Sequence, residues 1–172
     1  MGVALTLEQY LKTRNVDFDL TPHHYSEGSC NTALCAAIPS HCLAKAVVFR
    51  DEDLHYTMAV VPADHRVLRH TLNEILDRHL ELADEDELET IFFDCQQGAI
   101  PSCGQAYGLN VVWDDRLSLQ ADLWLEAGDH ENLVHLSGDN FMRLMANCLH
   151  ETISAAKRSR PPHRRGMTDR HP

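Results

Sequence analysis

The stretch LAKAVVFRDEDLHYTMAVVP, residues 43–62, decides the fold class of this chain. It holds two apolar runs rich in β-branched residues, and the short acidic link DED between them predicts a β-hairpin. Alternate residues of a strand share one face, which groups Lys45 with Val47 and Phe49. An amine among apolar side chains must reach water, find a partner or change its pKa. Lys45 is therefore the first residue to explain.

The pattern around this hairpin mixes helices with further strands. We expect helices over 6–14 with Thr6 as N-cap, over 30–38 with Asn31 as N-cap, over 69–83, over 84–93 with Asp84 as N-cap, and a long final helix over 139–156. Further strands are expected over 16–23, 109–115, 121–128 and 131–138. This order disfavours a doubly wound parallel sheet. It predicts a mixed α/β (α+β) fold with a curved or barrel-like mixed sheet and helices packed outside.

The length of 172 residues suits a single domain, which we place at 1–156, followed by a basic tail at 157–172. Six basic residues against Asp169 give that tail a charge of +5, so the rest of the chain carries −16 of the total −11. An acidic body repels phosphates, which argues against DNA as a partner. We expect the tail to be a disordered, solubilising end, with contact to RNA as the alternative.

Hydropathy and cysteine usage indicate the compartment. No apolar run approaches the roughly 18 residues of a membrane span, and the N-terminus lacks the basic start and apolar core of a secretion signal. The six cysteines form no C-x-x-C pair and are expected to be reduced thiols. We therefore expect a soluble cytoplasmic protein with no membrane partner.

The segment GAIPSCG, residues 98–104, is the most distinctive motif. Glycine permits positive φ and close approach of a ligand, and proline fixes φ, so such a loop can present fixed backbone dipoles to a small polar ligand. An ordinary connecting turn is the alternative. No lysine follows the glycines, so it is not a P-loop.

Lys45 has two equally compatible interpretations. Its ammonium could hold a substrate oxygen or act as a nucleophile, or its stem could pack on the sheet while the amine reaches solvent. Cys103, inside the loop, is a candidate nucleophile if the fold supplies a histidine. The twelve histidines include arrangements at 23–24, 65–70 and 128–131 that could bind a metal, although surface histidines are favoured and none forms H-E-x-x-H.

Taken together, these residues resemble the YbaK/prolyl-tRNA synthetase-associated domain family of aminoacyl-tRNA editing domains. Four segments carry the resemblance, in order: PHHYSEGSCNTALCAA, LAKAVVF with MAVVPADHRV, GAIPSCGQAYGLNVVWDD, and EAGDHENLVHL. A lysine heading the central strand, followed some fifty residues later by a G-x-x-P-x-x-G loop and a strand ending in Asp, is specific as a combination.

The resemblance implies site residues and partners. Lys45 matches the active-site lysine of the family, and the substrate-binding positions are Gly98, Ala99, Ile100, Pro101, Gly104, His24, Ser26, Thr32, Asp114, Gly128 and His130. It implies an aminoacyl-tRNA 3′ end as substrate, a synthetase as a further partner, and no metal or other cofactor.

The activity implied is free-standing, metal-independent hydrolysis of the ester in mischarged aminoacyl-tRNA, with a small amino acid on tRNA(Pro) as the expected substrate. Orientation and a few dipoles suffice for an activated ester, with a ribose hydroxyl helping to position water. Ser102 and Cys103 depart from the family loop, and we expect a wider or more polar pocket. The rival hypotheses are a non-catalytic binding module for a small molecule or partner, and a metal-dependent hydrolase.

Overall fold

A computed structural model describes residues 2–158 of the chain. In that part, α1 to α5 span Leu5–Thr13, Ser29–Cys35, Arg69–Leu76, Glu85–Ile91 and Gly138–Leu144. Strands β1 to β10 span Asp19–Pro22, Ala44–Arg50, Tyr56–Pro62, His65–Val67, Glu81–Leu82, Asn110–Asp114, Asp122–Glu126, Asn132–Ser137, Leu149–Glu151 and Ser154–Ala156.

The central sheet has the order β5-β2-β3-β6-β9 and is mixed. The predicted hairpin is confirmed: β2 and β3 pair antiparallel with Lys45 opposite Val61. Strands β3, β6 and β9 run parallel to one another. A second sheet contains three strands in the order β1-β8-β7, and β10 pairs with β4. The described strands thus form a mixed α+β fold of open sheets.

Both faces of the β2-β3 hairpin are covered. Ala44 and Val48 pack into the main core, which α1, β6, β7, β8 and α5 complete. Phe49 and Val61 belong to a second cluster, with residues of α3 and β6. The alternation expected from the sequence therefore holds. Burial on both faces explains the nearly continuous apolar run of β3.

Helix starts were predicted with mixed success. Asp84 caps α4 in a capping box, because its side chain accepts from Glu87 N and the Glu87 side chain accepts from Asp84 N. The N-cap predictions for Thr6 and Asn31 are wrong. Thr6 lies inside α1 and its amide donates to Asp94 at 2.9 Å, and Asn31 lies inside α2, which follows Gly28.

The long final helix over 139–156 is also wrong. Helix α5 ends at Leu144, and two short strands follow. Leu149 pairs with Val112 as β9 joins the central sheet. The buried carboxylate of Asp114 accepts hydrogen bonds from Ile153 N at 2.9 Å and Ser154 Oγ at 2.7 Å. These long-range partners outweigh the local helical periodicity.

The predicted basic tail lies outside the described residues from position 159 onward. Between residues 2 and 158, no helix has the length and hydrophobicity that a membrane span requires.

Candidate active site

Lys45 lies on β2, and its side chain is half-buried. Its ammonium donates a hydrogen bond of 2.7 Å to the carbonyl oxygen of His65. Burial, followed by the positive charge of Lys157, lowers the pKa of Lys45 to about 8. An ammonium has three N–H donors, so the bond to His65 leaves donors for a substrate oxygen.

The loop at 98–104 is anchored to the same strand. Ser102 is buried, and its hydroxyl donates to the carbonyl oxygen of Ala44 at 2.9 Å. Cys103 is also buried and packs into the main core. A Cβ on Gly104 would lie 3.1 Å from Met58 Cβ, so a larger residue there would have to displace Met58. The two departures from the family loop, Ser102 and Cys103, therefore face inward.

Between these anchors, the loop supplies the remaining predicted positions. Ala99 and Pro101 are buried, and Ile100 is half-buried against the main core. The amide of Ala99 donates to Gln96 O at 3.0 Å. Gly98 has a φ of +81°, a conformation that L side chains rarely adopt.

His130 lies beside the start of this loop. Its Nε2 is 2.6 Å from the carbonyl oxygen of Gln97, so Nε2 carries the proton and donates. A Cβ on Gly98 would lie 3.5 Å from His130 Cε1, and the Tyr25 ring centroid is 5.3 Å away from that of His130. His130 has a φ of +60°, a strained conformation for a non-glycine residue that is frequent at functional sites.

A cluster of buried polar side chains, Ser26, Thr32 and Glu126, lies near His130. The hydroxyls of Ser26 and Thr32 are 2.9 Å apart. Glu126, the last residue of β7, lies near Thr32. Glu126 is 9% exposed, and its Oε2 has no hydrogen-bond partner among the described residues. Burial raises the pKa of Glu126 to about 7, although the nearby His130 opposes that shift.

Helix α2 connects this cluster with the Lys45 region. Cys30, in its first turn, donates to the carbonyl oxygen of Ala63 at 3.4 Å, and its sulfur lies 3.8 Å from Lys157 Nζ. Thr32, two residues later, contacts Ser26 instead. The loop, α2, β2 and the β7-β8 turn therefore converge from segments distant in sequence.

A surface cavity of about 460 Å³ opens beside the loop. Its lining includes Tyr25, Glu27, Glu85, Gln97, Gly98 and His130. The two glutamates make this mouth acidic, which favours a cationic group over a phosphate. Lys45 is not in its lining, because its ammonium is held toward His65.

Asp114 is the last residue of β6, and its carboxylate is bonded to the C-terminal segment. It is 0% exposed, and it accepts from Arg116 N, Ile153 N and Ser154 Oγ. These contacts fix the C-terminal segment. The same segment reaches the Lys45 region, since Ser154 Oγ is 3.0 Å from Nδ1 of His65, whose carbonyl holds Lys45.

Gly128 and His24 are the remaining predicted positions. Gly128 has a φ of +114°, and a Cβ there would lie 3.0 Å from Ala4 Cβ and 3.3 Å from Cys95 Sγ. Its carbonyl accepts from Gln96 N at 2.8 Å, so it joins the N-terminal segment to the approach of the loop. His24 is exposed, and its carbonyl oxygen lies 2.7 Å from His23 Nδ1.

The structure weakens two alternative chemistries. Burial raises the pKa of Cys103 to about 12, so its thiol is not a ready nucleophile. Within residues 2–158, the one group with metal-ligand spacing is Asp51, Asp53 and His55, in the β2-β3 hairpin. There Asp51 Oδ1 accepts from the amides of Asp53 and His55, an ordinary turn arrangement. The predicted histidine arrangements form no such group in that part of the chain.

Comparison with known families settles the family. The model of the aminoacyl-tRNA editing domain matches residues 30–144, about two thirds of the chain. The chain belongs to the aminoacyl-tRNA editing domain family. The match contains Lys45, the loop and His130, and the activity of this family is deacylation of aminoacyl-tRNA. No curated protein sequence matches this chain significantly.

Solved structures agree on the fold of the editing domain. A proposed trans-editing enzyme for prolyl-tRNA synthetase superimposes with a TM-score of 0.77 at 15% identity, covering 89% of this chain and 97% of that one. A hypothetical protein gives a TM-score of 0.77 at 16% identity, with 87% and 99% covered. A proposed signal transduction protein from Marinobacter aquaeolei gives 0.72 at 16% identity, with 87% of this chain but 30% of that one.

Sequence reasoning missed Glu126 in this editing domain. The residue ends an apolar strand, where a carboxylate usually reaches solvent. Its position directly before the AGDHEN turn was the available signal. Only the tertiary structure shows that the carboxyl group is buried near Thr32 and His130.

Proposed function

We propose that the protein is a free-standing trans-editing deacylase that hydrolyses a small amino acid from mischarged tRNA(Pro). The observation that carries the proposal is the anchoring of the 98–104 loop to β2 beside Lys45, through Ser102 and Ala44, in a chain of the editing-domain family. The fold shared with a proposed trans-editing enzyme for prolyl-tRNA synthetase supports the choice of tRNA.

In the proposed mechanism, the aminoacyl ester lies between the loop and Lys45. The ammonium of Lys45 donates a hydrogen bond to the ester carbonyl oxygen and stabilises the negative charge that develops there as water attacks. Lys45 remains largely protonated at neutral pH with a pKa of about 8, so it acts as a donor rather than as a nucleophile. An activated ester needs little more than this orientation and charge stabilisation.

The acidic mouth attracts the aminoacyl group as it approaches the loop and Lys45. The α-ammonium of the amino acid carries a positive charge, which Glu27 and Glu85 attract. His130 and Gly98 form the inner wall, and His130 is fixed in orientation by its bond to Gln97. This wall limits the side chain that fits, and it favours a small amino acid.

The reaction as proposed needs no metal, because the groups that stabilise charge are protein donors. Activity that persists after dialysis against EDTA would support this point, and activity restored only by an added divalent ion would contradict it.

A deacylation screen tests the proposal. Wild type, Lys45→Ala and the control Lys12→Ala are given tRNA(Pro) and other tRNAs, each charged with one of several small amino acids. Lys12 is exposed on α1, in an ion pair with Glu8. We expect release by wild type and Lys12→Ala, and loss of at least 100-fold in rate for Lys45→Ala with an unchanged melting temperature.

The other outcomes are equally informative. Equal activity of Lys45→Ala and wild type would contradict the assignment of Lys45. No release from any charged tRNA would favour a non-catalytic binding module, which a ligand-dependent rise in melting temperature would then reveal.

A further inference from the structure

A second and larger cavity lies away from the candidate active site, at the junction of α1, β6, α5 and β9. Its volume is about 520 Å³, within the range of small-molecule sites. The lining comes from distant parts of the chain: Tyr10, Arg14, Thr57, Leu76, Arg78, Gln105, Leu109, Asn110, Val111, Val112, Arg143, Leu144, Asn147, Cys148 and Leu149. None of the active-site candidates belongs to it.

The lining of this cavity is positively charged, whereas residues 1–156 carry a net negative charge. Three arginines line it, at positions 14, 78 and 143, and no Asp or Glu does. The chain holds 26 acidic residues, so a lining that gathers arginine and omits every carboxylate is unusual for it. Such a concave basic site concentrates anions.

Two of these guanidinium groups have no carboxylate partner within residues 2–158. Arg14 lies 5.0 Å from the centroid of the Tyr10 ring, and Arg143 donates to the carbonyl oxygen of Asn15 at 3.2 Å. Arg78 contacts Asp51 at 3.4 Å. A guanidinium is always charged and matches a phosphate with two parallel donors, so Arg14 and Arg143 remain available to an anion.

The neutral lining narrows the ligand class. Gln105, Asn110 and Asn147 supply amides that can bond to base edges and ribose hydroxyls, and apolar residues fill the floor. Phosphate recognition by arginine beside amide and apolar surface fits a nucleotide unit. We propose that this cavity binds a phosphorylated nucleotide, either as a unit of an RNA or as a free nucleotide.

Binding measurements with uncharged tRNA and with ATP test this inference and distinguish the two sources. Uncharged tRNA carries no ester, so failure of the proposed deacylase function would not affect the result. The test variant is Arg14→Gln/Arg143→Gln. The control Lys12→Gln/Arg69→Gln removes the same charge from exposed sites outside the cavity, one of them on α1.

For an RNA ligand, we expect the test variant to weaken tRNA binding at least tenfold and to reduce the salt dependence by about two counterions, while the control changes it less than threefold. For a free nucleotide, ATP affinity falls tenfold and tRNA affinity does not change. Equal effects of test and control variants on both ligands, or no measurable binding of either ligand by wild type, would overturn the proposal.

Both arginines also lie at helix C-terminal ends, where a cation offsets the helix dipole, so their loss could destabilise the fold. Arg14→Lys/Arg143→Lys keeps both charges but removes the paired donors of the guanidinium. We expect this variant to retain the wild-type melting temperature and to lose at least threefold in affinity. Full affinity in it would contradict recognition by arginine geometry.

Discussion

Ser102 Oγ donates a hydrogen bond of 2.9 Å to the carbonyl oxygen of Ala44, the residue immediately before Lys45. This bond ties the glycine-proline loop to the strand that carries the lysine. The two segments are separated by 58 positions in sequence, so the contact fixes where the loop lies relative to the amine.

Ser102→Ala removes the anchor and leaves a buried carbonyl without that donor. We expect the free energy of unfolding to fall by about 1–2 kcal/mol, and deacylation to fall at least tenfold because the loop is no longer held against β2. Urea unfolding and initial rates measure the two effects. Ser118→Ala is the control, since that exposed hydroxyl also donates to a backbone carbonyl, at 2.6 Å. Equal losses in both variants would show that the loop anchor has no specific role.

The deacylation rate depends on the charge of Lys45. Burial lowers its pKa to about 8, so the ammonium is present below that pH and is lost above it. We expect kcat/KM, after subtraction of spontaneous ester hydrolysis, to fall as pH rises through about 8. Lys45→Arg keeps a cation throughout this range and should abolish the decline, even at a lower rate. A decline that persists in Lys45→Arg would assign the titration to another group.

Glu126 makes stability depend on pH. Its pKa is raised from 4.5 to about 7 on folding, so the folded state binds more protons than the unfolded state between those values. Stability contributed by the protonated carboxyl group is present below about pH 4.5 and is lost as pH rises through 7. We therefore compare the free energy of unfolding of Glu126→Gln with that of wild type at each pH. The difference should favour the variant more at pH 8 than at pH 5, by up to about 3 kcal/mol.

Thermal unfolding of wild type, Glu126→Gln and Glu131→Gln across pH 4–8 measures this effect. Glu131 lies on the same turn and is exposed, so its variant should follow the wild-type curve. If the melting temperatures of all three proteins changed with pH to the same extent, a raised pKa at Glu126 would be ruled out.

Asp114→Asn tests the role of the buried carboxylate. The amide that replaces one oxygen would face the donors Ile153 N–H and Ser154 O–H, which would lose an acceptor. We expect unfolding free energy to fall by about 2–4 kcal/mol, and amide hydrogen exchange to increase first around residues 149–156. Asp115→Asn, a more exposed neighbour, should cost less than about 1 kcal/mol. Similar costs for both variants would contradict this role for Asp114.

Local patterns predicted the elements that carry strong signals. The β2-β3 hairpin, β6, β7, β8 and the capped start of α4 agree with their sequence patterns. The final helix failed because partners distant in sequence, including Asp114, draw residues 149–156 into strands. The caps at Thr6 and Asn31 failed because any polar residue near a helix start satisfies the same local rule.

Some features of the candidate site could likewise be predicted from the sequence, and others could not. By itself, the sequence determined the residue types that the chemistry needs: an amine on a strand among apolar neighbours, and a glycine-proline loop able to adopt positive φ. Alternation along a strand and backbone permissiveness are local properties, so they can be read from the chain. Only the tertiary structure decided that Ser102 and Cys103 face inward, that Glu126 is buried beside Thr32, and that three arginines share one cavity. Burial and proximity depend on which distant segments pack together, and that packing fixes the partners and pKa values of these groups.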